Sequence, residues 1–223
     1  MPSFVVRVWL PDRPGALGAV ASRIGAVRGD VVGIEILERG GGRAVDDLVV
    51  ALPDADLVPL MVREVNQVDG VDVEDVRPAA AQPVDAGLRA LESAAVLVDQ
   101  GDAGSLLREL ARCTADDCGG DWCAVVDPSR DVPLATAGAV PADPWIVAFV
   151  RGSRAQPAMP GPGADRRPED IMWAEMAAAG AVLVVGRAGR PFRARERRQV
   201  AAVARIADRR LAELARTLHP SRA

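Results

Sequence analysis

The loop Asp12-Arg13-Pro14-Gly15-Ala16-Leu17-Gly18 is the segment whose residue types and order point most directly to chemistry. It lies between an alternating apolar run and a helical one, so the first amides of the helix have no partner behind them. The helix dipole favours an anion at that end. A carboxylate could dock there. Gly15 has no Cβ to keep a ligand off the backbone, and Asp12 offers a negative group that can receive an ammonium. The alternative is plain turn chemistry, with Pro14 setting the first helical dihedral and Asp12 capping nearby amides.

Other reactive side chains are scarce. The 27 basic residues are all Arg, since Lys is absent, as is Tyr, and there is one His, His219, four residues from the end. Schiff-base and phenol chemistry are thereby excluded, and nucleophile–His hydrolysis loses its base. Cys113, Cys118 and Cys123 follow a C-x4-C-x4-C spacing among Asp116, Asp117 and Asp121. A zinc site needs four soft or imidazole ligands at tight spacing, so these read as free thiols, with no metal and no cofactor expected. Residues 187–222 hold 11 Arg against 3 acidic residues. Val200, Val203, Ala207, Leu211, Leu214 and Leu218 form an apolar stripe on the same helix, which puts most of the Arg groups on its solvent side. With no DNA- or RNA-reading motif and an acidic chain overall, no nucleic-acid partner is expected.

Around these residues the pattern of elements is regular. Phe4, Val6, Val8 and Leu10 alternate with Val5, Arg7 and Trp9 and predict a strand. Leu17, Val20, Ile24 and Val27 predict a helix stopped by Gly29. Two alternating runs around Gly40-Gly41-Gly42 predict a hairpin, with Val32, Ile34 and Ile36 on one arm and Leu48, Val50 and Leu52 on the other. Asp56 and Pro59 open a second helix along Leu57, Met61, Val65 and Val68, and Val71, Val73 and Val76 predict a last strand. The order β-α-β-β-α-β in about 75 residues is that of a ferredoxin-like α+β sandwich. Trp9 falls on the sheet face away from both helices. That face is expected to pack on the second domain or a second subunit, or to be shielded by neighbouring side chains.

Charge and composition change after this. Residues 1–78 carry 8 Arg and 13 acidic residues, whereas the remainder is close to balanced. Pro78-Ala79-Ala80-Ala81-Gln82-Pro83 has no apolar period. The expected division is residues 1–78, a linker at 79–84, a second domain at 85–217 and a tail at 218–223. In the second domain a helix over 84–99 places Leu88, Leu91, Ala95 and Val98 on one face, and another covers Ser105 to Cys113. Strands are predicted at Trp122–Val126, Val132–Thr136, Trp145–Val150, Ile171–Glu175 and Ala181–Val185, and a surface loop from Gly152 to Pro168. A long helix from Arg195 to Leu218 ends the chain, its apolar stripe serving either its own domain or a dimer seam through Val200, Leu211 and Leu214.

The loop from Pro11 to Gly18, in its place between the first strand and first helix, resembles the signature loop of ACT domains, over roughly residues 3–77. The resemblance implies a regulatory domain that binds a small molecule, most commonly an amino acid. Asp12, Arg13, Pro14, Gly15, Ala16 and Leu17 would contact the ligand. Amino-acid-binding members often carry Asn at the start of the second strand; here Val31 stands there, and Asp30 is the residue expected to take its part. The ending, from Gly180 to Arg187 through Arg190-Pro191-Phe192 into the last helix, is similar to that of GAF domains, over roughly residues 85–217. This implies a small-molecule sensor or dimerisation unit with an antiparallel sheet. The cyclic-nucleotide series of that family contains a Lys and a bilin site a Cys beside a His, so neither can be present.

No window approaches the ~20 apolar residues of a membrane helix, and no leader pattern opens the chain, so no membrane association and a cytoplasmic location are expected. With no P-loop, dinucleotide fingerprint or available base, the chain reads as a non-enzyme. Two functions follow. One is a dimeric metabolite-binding regulator. The other is an interaction subunit that holds a partner enzyme or transcription regulator and has no ligand of its own.

Overall fold

A computed structural model describes residues 1–79, 86–155 and 169–218. The chain divides into two compact units, Met1–Ala86 with Arg193–Arg195, and Gly87–Phe192 with Glu196–Ala223. Both are α+β, and each contains one antiparallel four-stranded sheet. Among the described residues no helix is long and apolar enough to cross a membrane.

In the first unit the elements are β1 (Ser3–Pro11), α1 (Ala16–Ala26), β2 (Asp30–Gly40), β3 (Arg43–Ala51), α2 (Val58–Val65) after a 3₁₀ turn at Ala55–Leu57, and β4 (Asp72–Pro78). The sheet order is β2-β3-β1-β4, so β1 and β3 are central. Alternation drives this arrangement: Val6, Val8 and Leu10 of β1 and Ala44, Leu48 and Val50 of β3 meet Val20 and Ile24 of α1 and Met61 and Val65 of α2 in one core. Each of these side chains larger than Ala contributes about 1.5–3 kcal/mol by leaving water.

Two details differ from the expected pattern. The left-handed residue that ends α1 is Arg28, with φ 61°, rather than Gly29. Gly29 is required for a different reason, because a Cβ there would lie 2.8 Å from Ile24 and 3.0 Å from Leu52. The alternating apolar arm of Val32, Ile34 and Ile36 leaves them 47%, 53% and 38% exposed. β2 is an edge strand, and the two helices do not cover these side chains.

The second unit contains α3 (Ala86–Val98), α4 (Ala103–Cys118), β5 (Trp122–Asp127), β6 (Val132–Gly138), α5 (Asp143–Ala155), β7 (Ile171–Met176), β8 (Ala181–Gly186) and α6 (Ala194–Leu218). Its sheet order is β6-β5-β8-β7. Residues of β5 and β8 alternate between two cores. Cys123, Val125, Leu183 and Val185 pack with Leu106 and Leu110 of α4 and with Val200, Val203, Ala204 and Ala207 of α6. On the other face Trp122, Ala124, Val126, Val182 and Val184 pack with Ile146, Val147 and Val150 of α5. The unit is therefore three layers deep, helix on sheet on helix.

The segment expected as a strand at Trp145–Val150 is helical. A short apolar run has no period of its own to separate strand from helix. Asp143-Pro144 starts a helix well, and Ile146, Val147 and Val150 then share the buried face. Gly152 to Ala155, expected in a surface loop, continue this helix, and residues 156–168 of that loop lie outside the described residues. α4 is longer than expected: Asp102 accepts the Ser105 N–H at 2.9 Å at its start, and Gly119, with φ 55°, ends it.

The α6 stripe serves its own unit. Val200 and Leu214 are buried in the core and Leu211 packs against it, which corrects their reading as a dimer seam. The reason is the sheet behind them, which offers the apolar surface the stripe matches. By contrast, the α3 face formed by Leu88, Leu91, Ala95 and Val98 is exposed, and Ser93 and Leu97 on its other side are buried. Pro78 is the last residue of β4, and the Ala79 N–H donates to the Ser3 carbonyl at 2.8 Å; residues 80–84 of the expected linker and His219 lie outside the described residues.

Candidate functional site

The corner where β1 hands over to α1 is held by backbone bonds. The Asp12 N–H donates to the Gly42 carbonyl at 2.9 Å, which ties the loop to the β2–β3 turn. The Arg13 N–H donates to the Pro11 carbonyl at 2.8 Å, and Ala16 N–H to the Arg13 carbonyl at 3.3 Å. Gly15 is the helix N-cap in the left-handed region, φ 84°, with nothing within 4 Å of the place a Cβ would take. A side chain there is disfavoured by the backbone and not by crowding.

No side chain caps α1, so the turn-only role for Asp12 as a cap is not what the geometry has. Its carboxylate lies instead 4.0 Å from the Arg39 guanidinium, both groups being largely exposed. The amides of Leu17 and Gly18 fall in the first turn, where no intrahelical carbonyl can reach them. Asp12, Arg13, Pro14 and Gly15 are exposed, Leu17 is half-buried, and Ala16 is buried in the core.

Asp30 is not brought to this corner within one chain. Register places Asp30 opposite Ala51, and Ala51 opposite Ser3, which is the far end of the sheet from Pro11. Eight residues of strand separate those ends, about 25 Å. Trp9 lies on the face away from the helices, as expected, and is partly buried with the Arg43 guanidinium 5.1 Å from its ring centroid. Arg43 also pairs with Asp72 at 2.7 Å.

The loop residues did not point to two aspartates on β3. Asp46 and Asp47 are 3% and 7% exposed. Asp47 shares the Trp9 face, where it accepts from Arg7 Nε at 2.8 Å, Arg7 Nη2 at 3.0 Å and Arg77 Nη2 at 2.8 Å. Burial alone would push its carboxyl up, but the bonds and charges of Arg7 and Arg77 outweigh this and hold it below the usual carboxylate range. Asp46 faces the helix side, and its Oδ1 accepts no hydrogen bond among the described residues. Burial pushes the Asp46 carboxyl up, with Arg39 opposing and the charges of Asp12 and Asp47 adding to the rise. The signal available in the sequence was the Asp-Asp pair inside an otherwise apolar run, because adjacent strand residues must point to opposite faces.

Residues 4–70 match the model of the ACT domain. ACT domains are generally regulatory and bind small ligands. The match covers β1 through the end of α2 and includes the corner just described. The crystal structure of an unknown protein from Galdieria sulphuraria aligns with 96% of this chain and 94% of that chain, at 13% identity and a TM-score of 0.34. No curated protein matches the chain.

In the second unit the three cysteines and Arg187 are buried. Cys113, Cys118 and Cys123 are free thiols and all buried. Burial pushes the Cys113 and Cys123 thiols up, which keeps them protonated and poor as nucleophiles. No group of three or more His, Cys, Asp or Glu residues is placed to hold a metal among the described residues. Arg187 is 3% exposed and fully engaged: it pairs with both Glu196 oxygens at 2.7 and 3.0 Å and donates to the carbonyls of Cys118, Arg190 and Pro191.

Proposed function

We propose that this chain is a non-catalytic regulatory protein that binds an amino acid at the corner between β1 and α1 and changes its quaternary contacts in response. The observation that carries the reading is the uncapped start of α1 behind a left-handed Gly15, inside the segment that matches the ACT domain. A ligand carboxylate would accept from the first-turn amides, and Asp12 would approach its ammonium. Arg13, Pro14, Ala16 and Leu17 would form the walls.

A homodimer would complete the site. The exposed edge strand β2, with Val32, Ile34 and Ile36, can pair with its copy about a two-fold axis. Antiparallel pairing would bring Asp30 of the second copy toward the Gly40 end of the first, beside the loop. The second unit would act as a GAF-like sensor or dimerisation module in a cytoplasmic protein, without metal, cofactor, nucleic acid or membrane. Binding would shift the population between two dimer arrangements, a coupling typically of 1–3 kcal/mol.

The exposed stripe on α3, Leu88, Leu91, Ala95 and Val98, favours a second reading, in which the chain holds a partner enzyme or transcription regulator and has no ligand of its own. Thermal-shift measurements with each of the twenty amino acids, paired with sedimentation velocity, separate the two. Stabilisation by one or a few amino acids, with a changed sedimentation coefficient, is expected. No stabilisation by any of them would leave the scaffolding role as the better account.

A further inference from the structure

We infer that Asp46 is the group that receives a primary ammonium at the corner between β1 and α1, which restricts the ligands admitted there to compounds carrying a protonated amine. The inference rests on the site placement just proposed and adds a residue of β3 that lies outside the loop.

Geometry carries it. Asp46 pairs in register with Val8 of β1 and Ile36 of β2, and it lies on β3 between Ala44 and Leu48, both members of the core beneath the helices. Ala16, the first residue of α1, belongs to that same core. Asp46 is 3% exposed, yet its Oδ1 has no donor among the described residues. An ionised carboxylate in such a place is costly unless a cation or several donors meet it. Its sequence neighbour shows what a satisfied one looks like, since Asp47 takes three guanidinium donors at 2.8 to 3.0 Å.

The cation whose charge acts on Asp46 does not do this for it. Arg39 is largely exposed and sits 4.0 Å from Asp12, where an ion pair is weak and easily rearranged. The direction of the shift on Asp46 agrees with this, because desolvation prevails over the Arg39 charge. An ammonium has three donors, enough for the Asp46 Oδ1 and the Asp12 carboxylate together. Two carboxylates without a third acidic, thiol or imidazole ligand are too few for a metal site built by the protein.

The test uses the full chain, wild type and Asp46→Asn, in thermal-shift titrations against three probe sets. The first is the twenty amino acids, the second methylamine and ethanolamine, and the third glycolate and L-lactate, which keep a carboxylate and have no amine. Stabilisation of the wild type by amine-bearing probes alone, with affinity about 100-fold weaker in Asp46→Asn, is the expected result. If simple amines stabilise the wild type and amino acids do not, the role of Asp46 stands and the amino-acid reading falls. Equal binding of amino acids by both proteins would overturn the inference and leave that reading intact. Stabilisation by glycolate or L-lactate would also overturn it, as would the absence of any shift, which removes both. Should the variant fail to fold, the contrast between amines and carboxylates on the wild type decides the matter.

Discussion

The central strands of the two sheets are built from opposite materials. In the second unit β8 is Ala-Val-Leu-Val-Val-Gly, buried throughout, and β5 carries one charge, at its terminal Asp127. In the first unit β1 and β3 bring Arg7, Asp46 and Asp47 to the interior of the sheet. Stability does not require charge in such positions, since well-packed apolar residues of similar volume often serve as well or better. The second sheet shows that a four-stranded antiparallel sheet can be made without it. Buried charge in the first sheet therefore falls in the unit where we propose that recognition is built. The buried charge of the second unit, Arg187, lies past the end of β8, where carbonyls from two turns converge and need a donor.

The comparison breaks most visibly at Arg187. Arg187→Met leaves Glu196 without its bidentate partner and three carbonyls without their donor. We expect a loss of about 3–5 kcal/mol in urea unfolding followed by tryptophan fluorescence. If the role is structural, Arg187→Met with Glu196→Met should recover part of the loss, because the carboxylate is removed together with its partner. A deficit below about 1 kcal/mol for the single variant would show that the end of β8 is not held by this arginine.

A smaller effect is expected at Asp47. Asp47→Asn leaves Arg7 buried with a weakened partner and should cost about 2–3 kcal/mol at neutral pH. The folded-state pKa of Asp47 lies below its unfolded value, so its contribution is complete above about pH 4 and is lost as pH falls through the folded value. The difference between wild type and Asp47→Asn should accordingly shrink as unfolding is repeated from pH 7 down toward pH 2.5. A deficit that is constant over that range would mean that the charge on Asp47 is not what Arg7 and Arg77 hold.

The first unit is largely legible in the sequence, because its apolar residues keep periods of two and 3.6 between strong turn residues such as Pro14, Gly41 and Gly70. The corner at Asp12 to Gly18 was legible for the same reason. Trp145 to Val150 was not, since six residues of continuous apolar character fit a buried strand and a buried helix face equally. The α3 stripe teaches a different lesson. Spacing showed that Leu88, Leu91, Ala95 and Val98 share a face, but nothing in spacing says what covers a face, and this one is exposed. Val32, Ile34 and Ile36 repeat the point on an edge strand. Asp46 is not legible in the sequence, because a carboxylate inside a strand takes its meaning from the face it occupies, and register fixes that face.

The finest discrimination comes from changing the other aspartate of the pair. The folded-state pKa of Asp46 lies above its unfolded value, so the folded protein takes up a proton more readily than the unfolded chain. Ionisation then works against folding: the wild type loses stability as pH rises from the unfolded value of about 4 through the raised folded one. Asparagine has no such transition. Asp46→Asn should therefore be more stable than wild type at pH 7, by about 2–4 °C in thermal midpoint, with the gain disappearing below about pH 4. Adjacent Asp→Asn changes on one strand would thus have opposite signs, Asp47→Asn lowering the midpoint and Asp46→Asn raising it. A lowered midpoint for Asp46→Asn would mean that its carboxylate already has a partner within the free protein. The sheet's two faces would then differ only in which arginine they use, and the case for an ammonium at Asp46 would lose its foundation.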